Sequence, residues 1–198
     1  VVEECPEPSD RFFAIERSLV ELPLTDTALL LEIERQRPET ETDPARLADL
    51  DNRLAARQFT DAFQAGRSRT AANAALRAAQ PGPAIQLGYQ ALEGGNLGSA
   101  KRWFDRAIRW GGGVEARIGA ANVALEQNDS ARAEALINQI PVADARGVEL
   151  RERLKTGQFD RALAAGDFDL AGRLAASTQN ATQATLLGWS NLERDNLS

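Results

Sequence analysis

The sequence predicts an all-α protein built as an α-solenoid, in which antiparallel helix pairs stack in chain order. From Pro44 onward, apolar residues recur at helical spacing, and no convincing stretch alternates with period two. A phrase of similar sequence also recurs, because LGYQALEGGNL at 87–97 is echoed by LGWSNLERDNL at 187–197. Weak repetition of this kind is typical of stacked helical hairpins, each of which is too small to bury its apolar face alone.

The first 43 residues differ from the rest and are predicted to form an acidic helical N-terminal segment. Residues 1–43 carry twelve acidic and four basic side chains, whereas residues 44–198 carry seventeen and nineteen. Apolar spacing predicts one helix over 9–22 and a second helix that ends before Pro38. We therefore predict two regions, the segment 1–43 and a repeat array over 44–198.

Nine helices are predicted in the repeat array from the spacing of its apolar residues. Gly111, Gly112 and Gly113 follow Trp110, where a helix must end, and they are expected to form a C-cap and turn. The predicted helices span 44–65, 68–79, 83–93, 97–109, 114–127, 130–139, 143–164, 168–177 and 181–194.

Small residues recur at fixed offsets from the turns of this array. The turn residues are Gly66, Gly95, Asn128, Gly166 and Asp195. Five positions after the first four turn residues stand the alanines Ala71, Ala100, Ala133 and Ala171. The pattern resembles the tetratricopeptide repeat family, whose repeats carry a small residue at position 8, a Gly then Asp or Asn at positions 15 and 16, and Ala at position 20. Small residues at position 20 let the second helix of a repeat approach the first closely.

The resemblance covers residues 44–198 and is best over Pro81 to Gly113. It implies a right-handed α-solenoid of degenerate repeats, because Phe59 and Phe159 occupy the small position 8 and the turn residues lie 29 to 38 residues apart. The resemblance also implies an array that is truncated at the C-terminus, since the fifth repeat has a first helix but no second helix to cover it.

The composition argues against most catalytic chemistry. With no His and one Cys, the chain lacks imidazole bases, Cys–His nucleophiles and the common zinc sites. Lys101 and Lys155 lie on polar helix faces, and no pair of carboxylates is singled out for glycoside cleavage. Asp167 or Asp169 is expected to cap the next helix and not to bind calcium. We predict a protein that is not an enzyme and has no catalytic residue, cofactor or metal.

Charge and hydropathy narrow the class of partner. The net charge is −6, and the arginines alternate with acidic residues as on a solvated helix face, so nucleic acid is not the expected partner. No apolar run approaches 18 residues, which predicts that the chain does not span a membrane.

The resemblance implies a partner-binding groove, because the first helices of such repeats line a concave surface. The expected binding residues are Tyr89, Asn122, Trp189, Glu93 and Glu126. Their acidic rim favours a basic or neutral protein or peptide, and a polysaccharide is the other candidate. Alternatively, Tyr89 and Trp189 pack between neighbouring helices while the glutamates are solvated. The family's carboxylate clamp is absent, since Ile85 and Tyr89 replace its Lys and Asn.

Three aromatic residues fall on one predicted second helix. Phe104 matches a core position of the repeat, while Trp103 and Trp110 are seven residues apart on one face. Packing within or between repeats is expected for this face. The alternative is a platform on which sugar rings stack.

The function expected from the resemblance is that of a non-enzymatic protein–protein interaction scaffold. Long arrays of similar irregular repeats occur in bacterial exopolysaccharide-secretion and envelope assembly proteins, so a periplasmic location is expected. Two alternatives are a cytoplasmic regulatory or assembly adaptor and a solenoid module attached to a glycan-processing enzyme.

Overall fold

The computed structural model describes residues 44–178 and 180–196, and the predicted acidic segment 1–43 lies outside them. Within these ranges every regular element is an α-helix, which confirms the all-α prediction, and each bound lies within two residues of the predicted one. The nine helices are α1 (Pro44–Gln64), α2 (Ser68–Ala78), α3 (Pro81–Glu93), α4 (Leu97–Arg109), α5 (Gly113–Glu126), α6 (Ser130–Ile137), α7 (Ala145–Ala164), α8 (Phe168–Thr178) and α9 (Ala181–Asn196).

The chain divides into two compact units, and the boundary between Ala84 and Ile85 lies inside α3. In the N-terminal unit, α1 packs against α2. Phe59 of α1 is 2% exposed, and α2 contributes only alanines to the buried interior. An all-alanine face lets α2 approach α1 closely, and the Phe59 side chain supplies the volume that the alanines lack.

In the C-terminal unit, consecutive helices pack against each other from α4 to α9. Helix α5 also packs against α7, the next helix but one. Two side chains make a similar contact between even-numbered helices, because Arg132 of α6 forms an ion pair with Asp105 of α4 at 2.5 Å. Alternate helices of this unit are therefore in contact at two places, between α5 and α7 and between α4 and α6.

The turn within each of the four complete helix pairs repeats the same backbone geometry. The prediction of a turn at Asp195 is wrong, because this residue lies within α9. The residue at position 15 has a positive φ, which favours glycine or asparagine because other side chains are strained there. In the second pair, the N–H of Gly95 donates to Leu92 and that of Asn96 donates to Ala91, which is the Schellman arrangement. The φ values are 68° at Gly66, 71° at Gly95, 57° at Asn128 and 73° at Gly166.

The residue after each turn directly precedes the next helix, and in three cases its side chain caps that helix. Asn96, Asp129 and Asp167 each accept a hydrogen bond from the backbone N–H three residues later. This confirms the predicted capping role of Asp167. Arg67 occupies the same position before α2 and provides no side-chain cap.

The alanines at position 20 are buried in every pair, as the repeat pattern predicts. None of them has exposed surface, so each second helix lies against its neighbours with no room for a larger side chain. The four are Ala71, Ala100, Ala133 and Ala171.

Volumes at positions 8 and 24 are complementary, which explains the two phenylalanines that depart from the repeat pattern. Where position 8 holds Phe59 or Phe159, position 24 holds Ala; where position 8 holds Gly88, position 24 holds Phe104. All eight residues are buried. The core volume of each pair is therefore filled from either helix. The pairs are Phe59 with Ala75, Gly88 with Phe104, Ala121 with Ile137, and Phe159 with Ala175.

Phe104 fills the interior between α3, α4 and α5 and has no exposed surface. A Cβ atom added to Gly88 would lie 2.8 Å from its ring, and one added to Gly119 would lie even closer. Both glycines thus leave space for the aromatic ring. This confirms that Phe104 is a core residue.

Candidate functional site

Side chains link the odd-numbered helices of the C-terminal unit in chain order. Tyr89 of α3 donates from its hydroxyl to Glu115 Oε1 of α5 at 2.8 Å. Arg146 of α7 forms an ion pair with the other oxygen of the same carboxylate. Glu115 therefore joins three helices, α3, α5 and α7.

The ring and the hydroxyl of Tyr89 have different roles. The ring meets Phe104 edge to face, with centroids 5.0 Å apart and planes at 79°, so it is part of the packing between helices. Burial and the hydrogen bond to Glu115 raise the pKa of the Tyr89 hydroxyl above its usual value. The hydroxyl therefore stays protonated and donates.

Glu115 remains a carboxylate at neutral pH. Burial alone would raise its pKa, but hydrogen bonds from Tyr89 and Arg146 outweigh that effect and lower the pKa below its usual value. Arg146 also contacts Asp144, the N-cap residue of α7, at 3.4 Å. The guanidinium of Arg146 is thus shared between two carboxylates.

A second link between α5 and α7 lies two turns along the same helices. Arg153 Nη1 donates to Asn122 Oδ1 at 2.7 Å, and its Nη2 donates to Glu126 Oε1 at 3.3 Å. Asn122 Nδ2 in turn donates to the carbonyl of Ile118 at 3.1 Å, which holds the amide in one orientation. A further link joins α7 to α9, since Gln183 Nε2 donates to Thr156 Oγ1 at 3.3 Å.

The links that join α3, α5 and α7 border an open cavity of about 310 Å³ between these helices. Its wall contains two arginines, two glutamates, one amide and one phenol, beside two buried aliphatic residues. The lining residues are Tyr89, Glu115, Ile118, Asn122, Arg146, Glu149, Leu150 and Arg153. We name this feature the α3–α5–α7 cavity.

The structure brings three of the five expected binding residues together. Tyr89 and Asn122 line the α3–α5–α7 cavity, and Glu126 is joined to it through Arg153. Glu93 is exposed near the end of α3 and does not line the cavity. The alternative interpretation of Tyr89, packing between helices, also holds for its ring.

Trp189 does not line the cavity either. It lies on α9 and is 63% exposed, so within the part of the chain that the structure describes its side chain is not packed between neighbouring helices. Leu186 and Leu192 lie three residues before and after it and are 46% and 56% exposed. The three side chains form an apolar strip along α9.

Glu115, Arg146, Glu149 and Arg153 were not among the residues expected from the sequence. Two of them had a signal, because Glu115 and Arg153 both stand at position 2 of their repeats, which the family pattern makes available to ligands. Arg146 had none, since it lies in the seven residues by which α7 extends ahead of its predicted repeat.

The Trp103 side of α4 differs from a free aromatic platform. Trp103 and Trp110 are both partly buried, and the guanidinium carbon of Arg106 lies 5.0 Å from the centroid of the Trp103 ring. A cation therefore covers one face of that ring.

The described residues contain no group of three or more His, Cys, Asp or Glu side chains that could hold a metal ion. No helix of the described ranges combines the length and apolar character needed to cross a membrane.

No protein-family model matches the chain, and no curated protein or solved structure is significantly similar to it. The resemblance to tetratricopeptide repeats therefore rests on the residues quoted above and stays a prediction.

Proposed function

We propose that this protein is a non-enzymatic scaffold that binds a protein or peptide partner on tetratricopeptide-like repeats. In this proposal, α3 to α9 form a right-handed α-solenoid of antiparallel helix pairs, and the odd-numbered helices present the binding surface.

The links between alternate helices support the solenoid. In a solenoid, each repeat contacts only its neighbours, so first helices must meet the first helices of adjacent repeats. The bonds from Tyr89 to Glu115, from Arg153 to Asn122, and from Gln183 to Thr156 join α3, α5, α7 and α9 in that order. The repeated turn geometry gives each pair the same connection.

The observation that carries the binding function is the α3–α5–α7 cavity. At about 310 Å³ it falls at the lower end of the range for ligand pockets, roughly 300–1,000 Å³, and is large enough for a side chain of a bound peptide. Its wall offers both charged groups and buried aliphatic surface. Such a mixture is typical of sites that bind a partner through a few oriented polar contacts.

A library of random heptapeptides displayed on phage tests this function even though the natural partner is unidentified. We expect the wild-type protein to retain a set of peptides that the Asn122→Trp variant loses, because the larger side chain fills the cavity. Asn73→Trp is the matched control, since Asn73 is an exposed helical asparagine that does not line the cavity. Glu149→Trp blocks the same cavity from an exposed position and covers the case in which Asn122→Trp unfolds. Peptides that bind all four proteins equally would contradict the proposal.

The proposed setting is a bacterial envelope or exopolysaccharide-secretion assembly in the periplasm. It is supported by the irregular repeats and by a composition with only two lysines among 23 basic residues, which is typical of GC-rich bacterial genomes. Release of the tagged protein from its host by osmotic shock is the expected result. Retention with the cytosolic fraction would favour the cytoplasmic adaptor instead.

A further inference from the structure

We infer that the α3–α5–α7 cavity binds an arginine or lysine side chain of the partner and that Glu149 is the residue that pairs with it. This inference rests on the proposed function, because it names the chemistry of the peptide that the cavity takes.

Both arginines of the cavity are already paired with carboxylates of the chain. Arg146 forms ion pairs with Glu115 and Asp144. Arg153 forms an ion pair with Glu126 and also donates to Asn122. An anionic ligand would have to compete with these carboxylates for the guanidinium groups.

Glu149 is the lining carboxylate that remains. It is exposed, and its side chain makes no hydrogen bond or ion pair among the described residues. Its position is unusual for an unpaired residue, since Arg146 lies three residues before it and Arg153 four residues after it on α7. Both spacings permit an ion pair within the helix. Both arginines instead reach across to α5, which leaves the Glu149 carboxylate available to a ligand.

The charge around the cavity therefore favours a cation. In the wall itself, the carboxylates of Glu115 and Glu149 balance the guanidinium groups of Arg146 and Arg153. Two more carboxylates pair with these arginines from outside the wall, so the surroundings carry a surplus of two negative charges; they are Asp144 and Glu126. The buried aliphatic side chains of Ile118 and Leu150 also form part of the wall. Lysine and arginine combine an apolar stem with a charged end, which matches a wall of this kind.

Peptides selected on the wild-type protein provide the test. We expect the set that Asn122→Trp loses to be enriched in arginine and lysine over aspartate and glutamate. One such peptide and a copy with glutamine in place of its basic residue are then titrated by fluorescence anisotropy. Glu149→Gln should weaken the basic peptide by roughly threefold to tenfold, between the effects of an exposed ion pair and a buried charged hydrogen bond. It should leave the glutamine peptide unchanged.

Glu134→Gln is the matched control, because Glu134 is an exposed glutamate on α6 that lies outside the cavity. It should alter neither affinity. The preference for the basic peptide should also shrink as salt is added, since salt screens exposed charges.

Two other outcomes separate the inference from the function. If Asn122→Trp abolishes binding but the peptides show no basic preference, or Glu149→Gln leaves the basic peptide unaffected, the inference is wrong and the function stands. If no peptide depends on the cavity, the proposed function is wrong and the inference falls with it.

Discussion

Replacing Gly119 with alanine tests the packing that holds α3, α4 and α5 together. Alanine in a helix interior is favoured over glycine by up to about 1 kcal/mol. At Gly119 the added methyl group would overlap the Phe104 ring, and the ring is bounded by Gly88 on α3. Overpacking of this kind costs typically about 1–3 kcal/mol, and a confined ring places the cost at the upper end. The net expectation is a loss of about 2 kcal/mol in the free energy of unfolding.

The matched control is Gly157→Ala. Gly157 occupies the same repeat position on α7, but a Cβ atom there would meet nothing within 4 Å. The control should gain up to about 1 kcal/mol, so the same substitution has opposite signs at the two sites. Urea unfolding followed by far-UV circular dichroism measures both, and the melting temperature of Gly119→Ala should fall by about 4–8 °C. A Gly119→Ala protein as stable as the wild type would refute the packing of Phe104 between the two glycines.

Three further changes test other parts of the account. Phe159→Ala should lower the free energy of unfolding by about 3–5 kcal/mol, and adding Ala175→Phe should restore part of that stability because the volumes at these positions are complementary. A double variant no more stable than Phe159→Ala would contradict this complementarity. Tyr89→Phe should cost roughly 1 kcal/mol in the free energy of unfolding by removing the hydroxyl bond to Glu115. The pKa of Glu115 in the folded protein is lowered from 4.5, so its carboxylate stabilises the fold above that pH, and this stability is lost as the pH falls through the lowered pKa. Tyr89→Phe should make this loss of stability at acid pH smaller. An unchanged dependence of stability on pH would argue against the bond. Arg67→Asp should add about 0.5–1 kcal/mol by capping α2, and a neutral result in urea unfolding would show that the turn does not admit the cap.

Features set by neighbouring residues could be predicted from the sequence. Helix bounds follow from apolar spacing, and the left-handed turns at Gly95 and Asn128 follow from their residue types. The buried Ala100 and Ala133 follow from the repeat pattern. These features depend on interactions between residues of one helix pair.

Contacts between helix pairs could not be predicted in the same way. Arg146 reaches Glu115 because α7 begins seven residues ahead of its predicted repeat, and no periodic pattern contains that extension. Phe159 contradicted the small position 8 because the compensating Ala175 lies on another helix. Volume and charge are balanced across helices, so their placement requires the three-dimensional structure.

The most direct test of the binding site is an NMR titration of the labelled protein with a selected basic peptide. We expect shifts of the Asn122 side-chain amide and of the Ile118 methyl groups, both in the cavity wall. The Ile137 methyl groups, which are buried in the core outside the cavity, should keep their positions. Shifts confined to the Trp103 indole on α4 or the apolar strip around Trp189 on α9 would contradict the assignment of the α3–α5–α7 cavity as the binding site.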